Sequence, residues 1–296
     1  MKKLTCLGLT IAMALTLLAG CGGGETSATG SETGSNTSAS QSAVSSGATE
    51  EISGTVNTDG STSMADVMAV LKETFAEVQP GVTVNYTGSG SGSGITNVLN
   101  GSVDIGLSSR ALKAEEEEQG AVSHIVALDG VAIVVNPENT VSDLTVEQIA
   151  QIFSGEITNW SEVGGPDAEI AVFGRESGSG TRGAFEEIVG VEDACVYTNE
   201  YSSTGDMVGA VAGNPNAIGY ASLSAVDESV VAVKVNGVTP SEATVKDGTY
   251  EIQRPFVMVT KEGVELSDAA QAFLDYATSA EVAEYIAAAG AVSPQG

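Results

Sequence analysis

Positive charge is scarce in this chain: 11 Lys and Arg face 39 Asp and Glu among 296 residues, a formal net charge of −28. No basic run is longer than Lys2-Lys3, which argues against nucleic acid as a partner, because a phosphate backbone is gripped by clustered cations. Histidine occurs once, at His124, and cysteine three times, at Cys6, Cys21 and Cys195. That inventory is too small for a His/Cys metal cluster, and a Ser-His-Asp arrangement is open only through His124. We therefore expect no catalytic residue, no metal and no cofactor. The apolar run from Leu7 to Leu18 is too short to span a bilayer comfortably.

The N-terminus instead carries the three-part plan of a secretory signal: Lys2 and Lys3, the apolar run, then small residues. Leu18-Ala19-Gly20-Cys21 resembles the lipobox of bacterial lipoproteins, which implies a signal peptide over residues 1–20 and a lipid on Cys21. Loss of Lys2 and Lys3 takes the formal charge from −28 to −30. With Cys6 removed and Cys21 acylated, Cys195 has no thiol left for an intrachain disulfide. Gly22 to Thr49 holds 23 Gly, Ser, Thr or Ala among 28 residues and only Val44 as a larger aliphatic side chain. Such a segment cannot bury enough apolar area to offset ordering entropy, so residues 21–51 read as a disordered tether. As a flexible coil it reaches about 30 Å root-mean-square from its anchor.

From about Glu51 short β-rich runs alternate with helical ones, which indicates an α/β body. Strand candidates are Val82 to Tyr86, Gly130 to Val135 and Glu169 to Phe173. Ser63 to Val78 has helical spacing, with Met64, Val67, Met68, Leu71, Phe75 and Val78 on one stripe. Thr145 and Gln148 make a capping box. Ser267 to Thr278 and Ser279 to Ala289 each begin at an N-cap residue, and Gly290 stops the second. Glu115 to Glu118 reads as a solvated helix face.

Four stretches put glycine and small hydroxyl residues just before an expected helix: Gly60 to Ser63, Gly88 to Gly94, Gly106 to Arg110, and Arg175 to Thr181. A helix start exposes unpaired N–H groups and a partial positive charge, so each is a natural anion cradle. Glycine lets the backbone close on a ligand, and Ser or Thr adds a hydroxyl donor. Arg175 adds a planar fork suited to a tetrahedral oxyanion, or else a structural ion pair with Glu176 or Glu187. A carrier with a charge of −30 cannot collect an anion by long-range attraction, so binding must come from aimed local dipoles in an enclosing cleft.

These residues match a known family. Val84-Asn85-Tyr86 with the following Gly/Ser loop, Val103 to Arg110, Ile152 to Gly155 through Asn159-Trp160, Arg175 to Thr181 and Ala217-Ile218-Gly219-Tyr220 resemble the phosphate-binding lipoprotein of the bacterial high-affinity phosphate ABC transporter. The resemblance covers nearly all of residues 52–296. It implies a two-lobed type II periplasmic-binding-protein fold, with lobe 1 over 52–133 and 256–296 and lobe 2 over 134–255. Two crossovers, near Val131 to Asn136 and Arg254 to Val259, would join the lobes around the ligand cleft.

Carried over residue by residue, it implies that Thr62, Ser63 and Ser91 hold phosphate from one lobe, and Arg175, Ser179, Gly180 and Thr181 from the other. Ser109 stands where well-studied members have an aspartate that accepts the proton of monohydrogen phosphate. Ser109 can accept more weakly, Glu176 or another carboxylate is a candidate substitute acceptor, and Arg110 is a candidate second cation. Ser202 to Gly205 faces a helix start and reads either as a cleft wall or as an N-cap. The resemblance further implies a monomer, lipid-anchored on the extracytoplasmic face of the cell membrane, that delivers inorganic phosphate to transmembrane permease subunits.

Two enzyme readings stay open beside this one. Gly178-Ser179-Gly180-Thr181-Arg182-Gly183 fits the dinucleotide fingerprint, but an export signal removes the chain from cytoplasmic cofactors. Ser91 or Ser179 beside Arg175 could serve a secreted phosphomonoesterase, although neither lies in G-x-S-x-G. Within the binding class, another tetrahedral oxyanion such as sulfate or molybdate is the alternative ligand.

Overall fold

The structure, a computed structural model, describes residues 52–294. The expected signal peptide, the lipidation site at Cys21 and the tether to residue 51 lie outside the described residues.

The chain begins β1 (Gly54–Gly60), α1 (Ala65–Val78), β2 (Val82–Gly88), α2 (Ser91–Leu99), β3 (Ile105–Ser108), α3 (Ala114–Glu118) and β4 (Ala121–Val135). It continues through β5 (Asp143–Leu144), α4 (Val146–Phe153), β6 (Ala171–Arg175), α5 (Gly180–Val189), β7 (Asn199–Tyr201), α6 (Thr204–Ala212) and β8 (Ala217–Ser222). Then come β9 (Val231–Ala232), β10 (Lys234–Val235), α7 (Glu242–Lys246), β11 (Gln253–Lys261), α8 (Asp268–Ala277) and α9 (Ala283–Ala288).

The main sheet runs β2-β1-β3-β11-β4-β8-β6-β7, with β9 beside β4. β1 is parallel to both β2 and β3, and β6 is parallel to both β7 and β8. Parallel neighbours need crossovers, and α1, α2, α5 and α6 supply them. Loops at the carboxyl ends of β1, β2 and β3 on one side, and of β6 and β7 on the other, are therefore the places where an α/β sheet holds ligands.

The two halves share β4, whose first part pairs with β11 up to Gly130 and whose second part pairs with β8 from Val131. The exchange thus falls at Gly130–Val131, at the start of the first expected crossover. Val131 N–H donates to Ile252 O at 2.7 Å, bringing the second connection alongside the first; it falls ahead of the expected Arg254 to Val259, which lie inside β11, paired with β4 and β3. One core packs α1, α8 and α9 against β1 to β3 through Leu71, Phe75, Ile105, Phe256 and Phe273. Another packs α4 and α5 against the second half of β4 and β8 through Ile133, Phe153, Trp160, Phe185 and Tyr220.

The expected stripe of α1 is buried at Met64, Val67, Met68, Leu71 and Phe75, whereas Val78 is 55% exposed because the helix ends there, beyond the core. Thr145 and Gln148 form their capping box, and Ser267 caps α8. Ser279 does not cap: its hydroxyl donates back to Tyr276 O, and a 3-10 turn over Ala280–Val282 precedes α9.

Candidate functional site

β1 ends at Gly60, and the chain tightens into a 3-10 turn, Thr62–Met64, capped by Ser61 Oγ, which accepts from Ser63 N–H at 3.2 Å. The next loop is tied to this one, because Ser89 and Gly90 N–H both donate to Gly60 O, at 2.9 and 2.8 Å. Ser91 then opens α2. Its hydroxyl accepts from Ser109 N–H at 3.1 Å, and the two hydroxyls lie 3.3 Å apart. Three strand ends thus bring Thr62, Ser63, Ser91 and Ser109 together.

Across from them β6 ends at Arg175. Ser179 caps α5 by accepting from Arg182 N–H at 3.3 Å, which sets Gly180 and Thr181 in the helix's first turn. The two sides meet directly. Ser63 and Thr181 hydroxyls are 2.6 Å apart, and Gly92 N–H donates to Gly178 O at 3.1 Å. Gly180 approaches so closely that a Cβ there would lie 2.2 Å from Ser91 Oγ, so no larger residue fits without parting the two sides.

Arg175 lies at the centre and is 1% exposed. Nη1 donates to Thr204 Oγ1 at 2.9 Å, and Nη2 donates to Thr62 Oγ1 at 3.1 Å and Ser202 O at 2.7 Å. Nε donates to Tyr201 O at 3.0 Å. Burial pushes the guanidinium down to about 10, with Arg254 adding to the fall and Tyr220, Glu176 and Asp206 opposing it. It remains a cation at neutral pH. Every other arginine has a carboxylate partner: Arg110 with Glu116, Arg182 with Glu186 and Glu200, Arg254 with Asp129. Among the described residues Arg175 has none. A buried cation without a countercharge is costly. Ringed by hydroxyls and helix starts, it has the surroundings that can receive an anion.

The structure gathers Thr62, Ser63, Ser91, Ser109, Arg175, Ser179, Gly180 and Thr181 into one place. Arg110 stays outside it: its guanidinium makes a bidentate pair with Glu116 at 2.8 and 2.7 Å, at the rim of the cleft. Glu176 is exposed and makes no contact with the cluster's hydroxyls. Ser109 occupies a bend, five residues ahead of α3, rather than a helix start, and its hydroxyl can donate or accept.

The Ser202 to Gly205 loop both caps a helix and reaches the hydroxyl cluster. Ser203 caps α6 by accepting from Asp206 N–H, and Thr204 Oγ1 lies 3.0 Å from Ser63 Oγ and 3.1 Å from Thr62 Oγ1.

A family model described as a PBP superfamily domain matches residues 24–281. With a sheet doubly joined between two halves, this defines a two-lobed solute-binding protein of the type II periplasmic-binding fold. Phosphate-binding protein PstS of Bacillus subtilis is 33% identical over 293 residues, covering 96% of this chain and 92% of that protein. A Clostridium perfringens protein assigned to phosphate ABC transport as its substrate-binding component, solved with bound phosphate, is 41% identical. It superposes with a TM-score of 0.78, over 81% of this chain and 99% of that one. An ABC-type phosphate transport receptor from Vibrio cholerae gives 34% identity and a TM-score of 0.67, over 81% of this chain and all of that one. The chain belongs to this family of phosphate-binding proteins within the PBP superfamily.

Proposed function

We propose that this protein binds inorganic phosphate outside the cell and delivers it to the permease of an ABC transporter, as a binding protein and not an enzyme. The observation that carries the reading is Arg175, a buried guanidinium with no carboxylate partner, enclosed by hydroxyls from both sides of the molecule. In this reading Arg175 supplies the countercharge. Thr62, Ser63, Ser91, Ser109, Ser179, Thr181 and Thr204 supply hydroxyls, and the starts of α2 and α5, the latter with Gly180, supply N–H groups. The two halves act as lobes that close by bending at the paired connections near Gly130 and Ile252. The lipobox supports a mature chain held to the membrane's outer face through Cys21, its tether letting the body reach the permease.

A melting-temperature screen against phosphate, arsenate, sulfate and molybdate tests the ligand. Phosphate at a hundred times its Kd should add about 2.7 kcal/mol of stability. A larger shift with sulfate or molybdate than with phosphate would contradict the assignment. Sustained hydrolysis of a chromogenic phosphate ester, lost in Ser179→Ala, would overturn the binding-protein reading in favour of an esterase.

A further inference from the structure

β6 pairs with β8 only at Ala171 and Val172, so by Arg175 the two strands no longer exchange backbone hydrogen bonds. The Arg175 N–H is instead taken by a side chain: it donates to Tyr220 Oη at 3.1 Å. Tyr220 Oη lies 3.1 Å from Tyr197 Oη, which donates to Glu186 Oε1 at 2.9 Å. The same carboxylate oxygen accepts from Arg182 Nε at 2.8 Å, and Arg182 Nη1 returns to Arg175 O at 3.0 Å.

Proton counting fixes the direction of every link. A carboxylate only accepts, so the single hydroxyl proton of Tyr197 goes to Glu186. The Tyr220 proton must then go to Tyr197, leaving a Tyr220 lone pair for the Arg175 amide. The chain leaves Arg175 at its N–H and comes back at its C=O.

We propose that Tyr220, Tyr197, Glu186 and Arg182 form a hydrogen-bonded circuit that clamps both faces of the Arg175 main chain and so aims its guanidinium at the bound anion. These four are positioning residues, and the proposal rests on the phosphate-binding reading of the site. Aligned links polarise one another and strengthen the chain.

Packing around the circuit agrees. A Cβ on Gly174 would lie 2.2 Å from the Tyr197 ring, so only glycine lets that ring cross β6 beside Arg175. Tyr220 stacks on Phe185 at 4.2 Å and 13°, and Arg182 sits 4.8 Å over the Tyr197 ring. Burial drives both tyrosine hydroxyls well above their ordinary range, which keeps both protons in the chain.

The test is phosphate titration calorimetry on the whole chain, Tyr197→Phe and Phe153→Leu, with ligand-free melting temperatures for each. Phe153 packs 6.1 Å from the Tyr197 ring but makes no link in the circuit. Tyr197→Phe removes one hydroxyl and with it two links, to Tyr220 and to Glu186, and should raise the phosphate Kd at least about fivefold. Phe153→Leu should lower the melting temperature more, yet leave Kd unchanged. Where Tyr197→Phe folds poorly, Glu186→Leu removes the acceptor of the Tyr197 hydroxyl and should also raise Kd. Wild-type Kd in the tyrosine variant, or equal Kd changes in the tyrosine and phenylalanine variants, overturns the circuit while the phosphate reading stands. No phosphate binding by the unsubstituted protein overturns both.

Discussion

Arg175 and Arg254 are 1% and 3% exposed, and the two regions around them handle a buried charge in opposite ways. Arg254 faces Asp129 across the β4–β11 ladder, with Nε donating to Oδ2 at 3.0 Å and Nη2 2.9 Å from the same oxygen. The other Asp129 oxygen accepts from the Ser222 hydroxyl and Leu223 N–H, and Arg254 Nη1 donates to Ser109 O. That charge is cancelled inside the protein, where the strands change partners. Arg175 is surrounded by dipoles alone. A buried cation with its own carboxylate serves the fold; in the proposed reading, one without it leaves its countercharge to a ligand.

Removing each cation separates the two cases most sharply. Arg254→Met strands Asp129 as a buried, unpaired carboxylate and should cost about 3–5 kcal/mol of folding stability in urea denaturation. A loss under about 1 kcal/mol would remove the contrast, since that is no more than an ordinary hydrogen bond contributes. A smaller effect comes from giving the Arg175 region a carboxylate. Ser109→Asp adds an acceptor that a fully ionised anion cannot satisfy. By calorimetry it should weaken sulfate about tenfold more than monohydrogen phosphate; equal weakening would exclude Ser109 from ligand contact.

Arg175→Met relieves a buried cation while unpairing hydroxyls that can rotate and two carbonyls. Ligand-free stability should therefore change by no more than about 1 kcal/mol. A loss as large as that of Arg254→Met would make Arg175 a folding residue.

The smallest effect belongs to the rim pair. Burial raises the Glu116 carboxyl, but hydrogen bonds from Arg110 and Lys113 N–H outweigh this and hold it below its ordinary 4.5. A lowered folded value means that its stabilisation is present above the unfolded pKa and lost as pH falls through the folded one. The difference in stability between wild type and Glu116→Gln, at most about 1 kcal/mol, should fade on acidification below the ordinary carboxylate range. A difference that does not change with pH would mean that the pair contributes nothing.

Much of the candidate site is legible in sequence because its parts are local. Glycine and hydroxyl residues at the starts of α2 and α5 announce donors whatever the rest of the chain does. Arg175 stands just ahead of one such start. What could not be read depends on long-range placement. Thr204 enters through contacts with Thr62 and Ser63, some 140 residues away. Arg110 looked like a free cation until α3 folded back and set Glu116 against it. Ser109 reads as a helix start but sits in a bend fixed by Ser91 and Arg254. In the fold, the Gly130 to Val135 run was visible because it is buried on both faces. The first part of β4 was hidden because Ser123, His124 and Asp129 interrupt its apolar pattern, and its pairing with β11 spans more than a hundred residues.

Calorimetric titration of phosphate into wild type and Arg175→Met tests the central claim most directly. The account predicts saturable binding at one site per chain, weakened in the variant by about 2–5 kcal/mol through loss of a desolvated charge partner. Equal affinity in both proteins would contradict it.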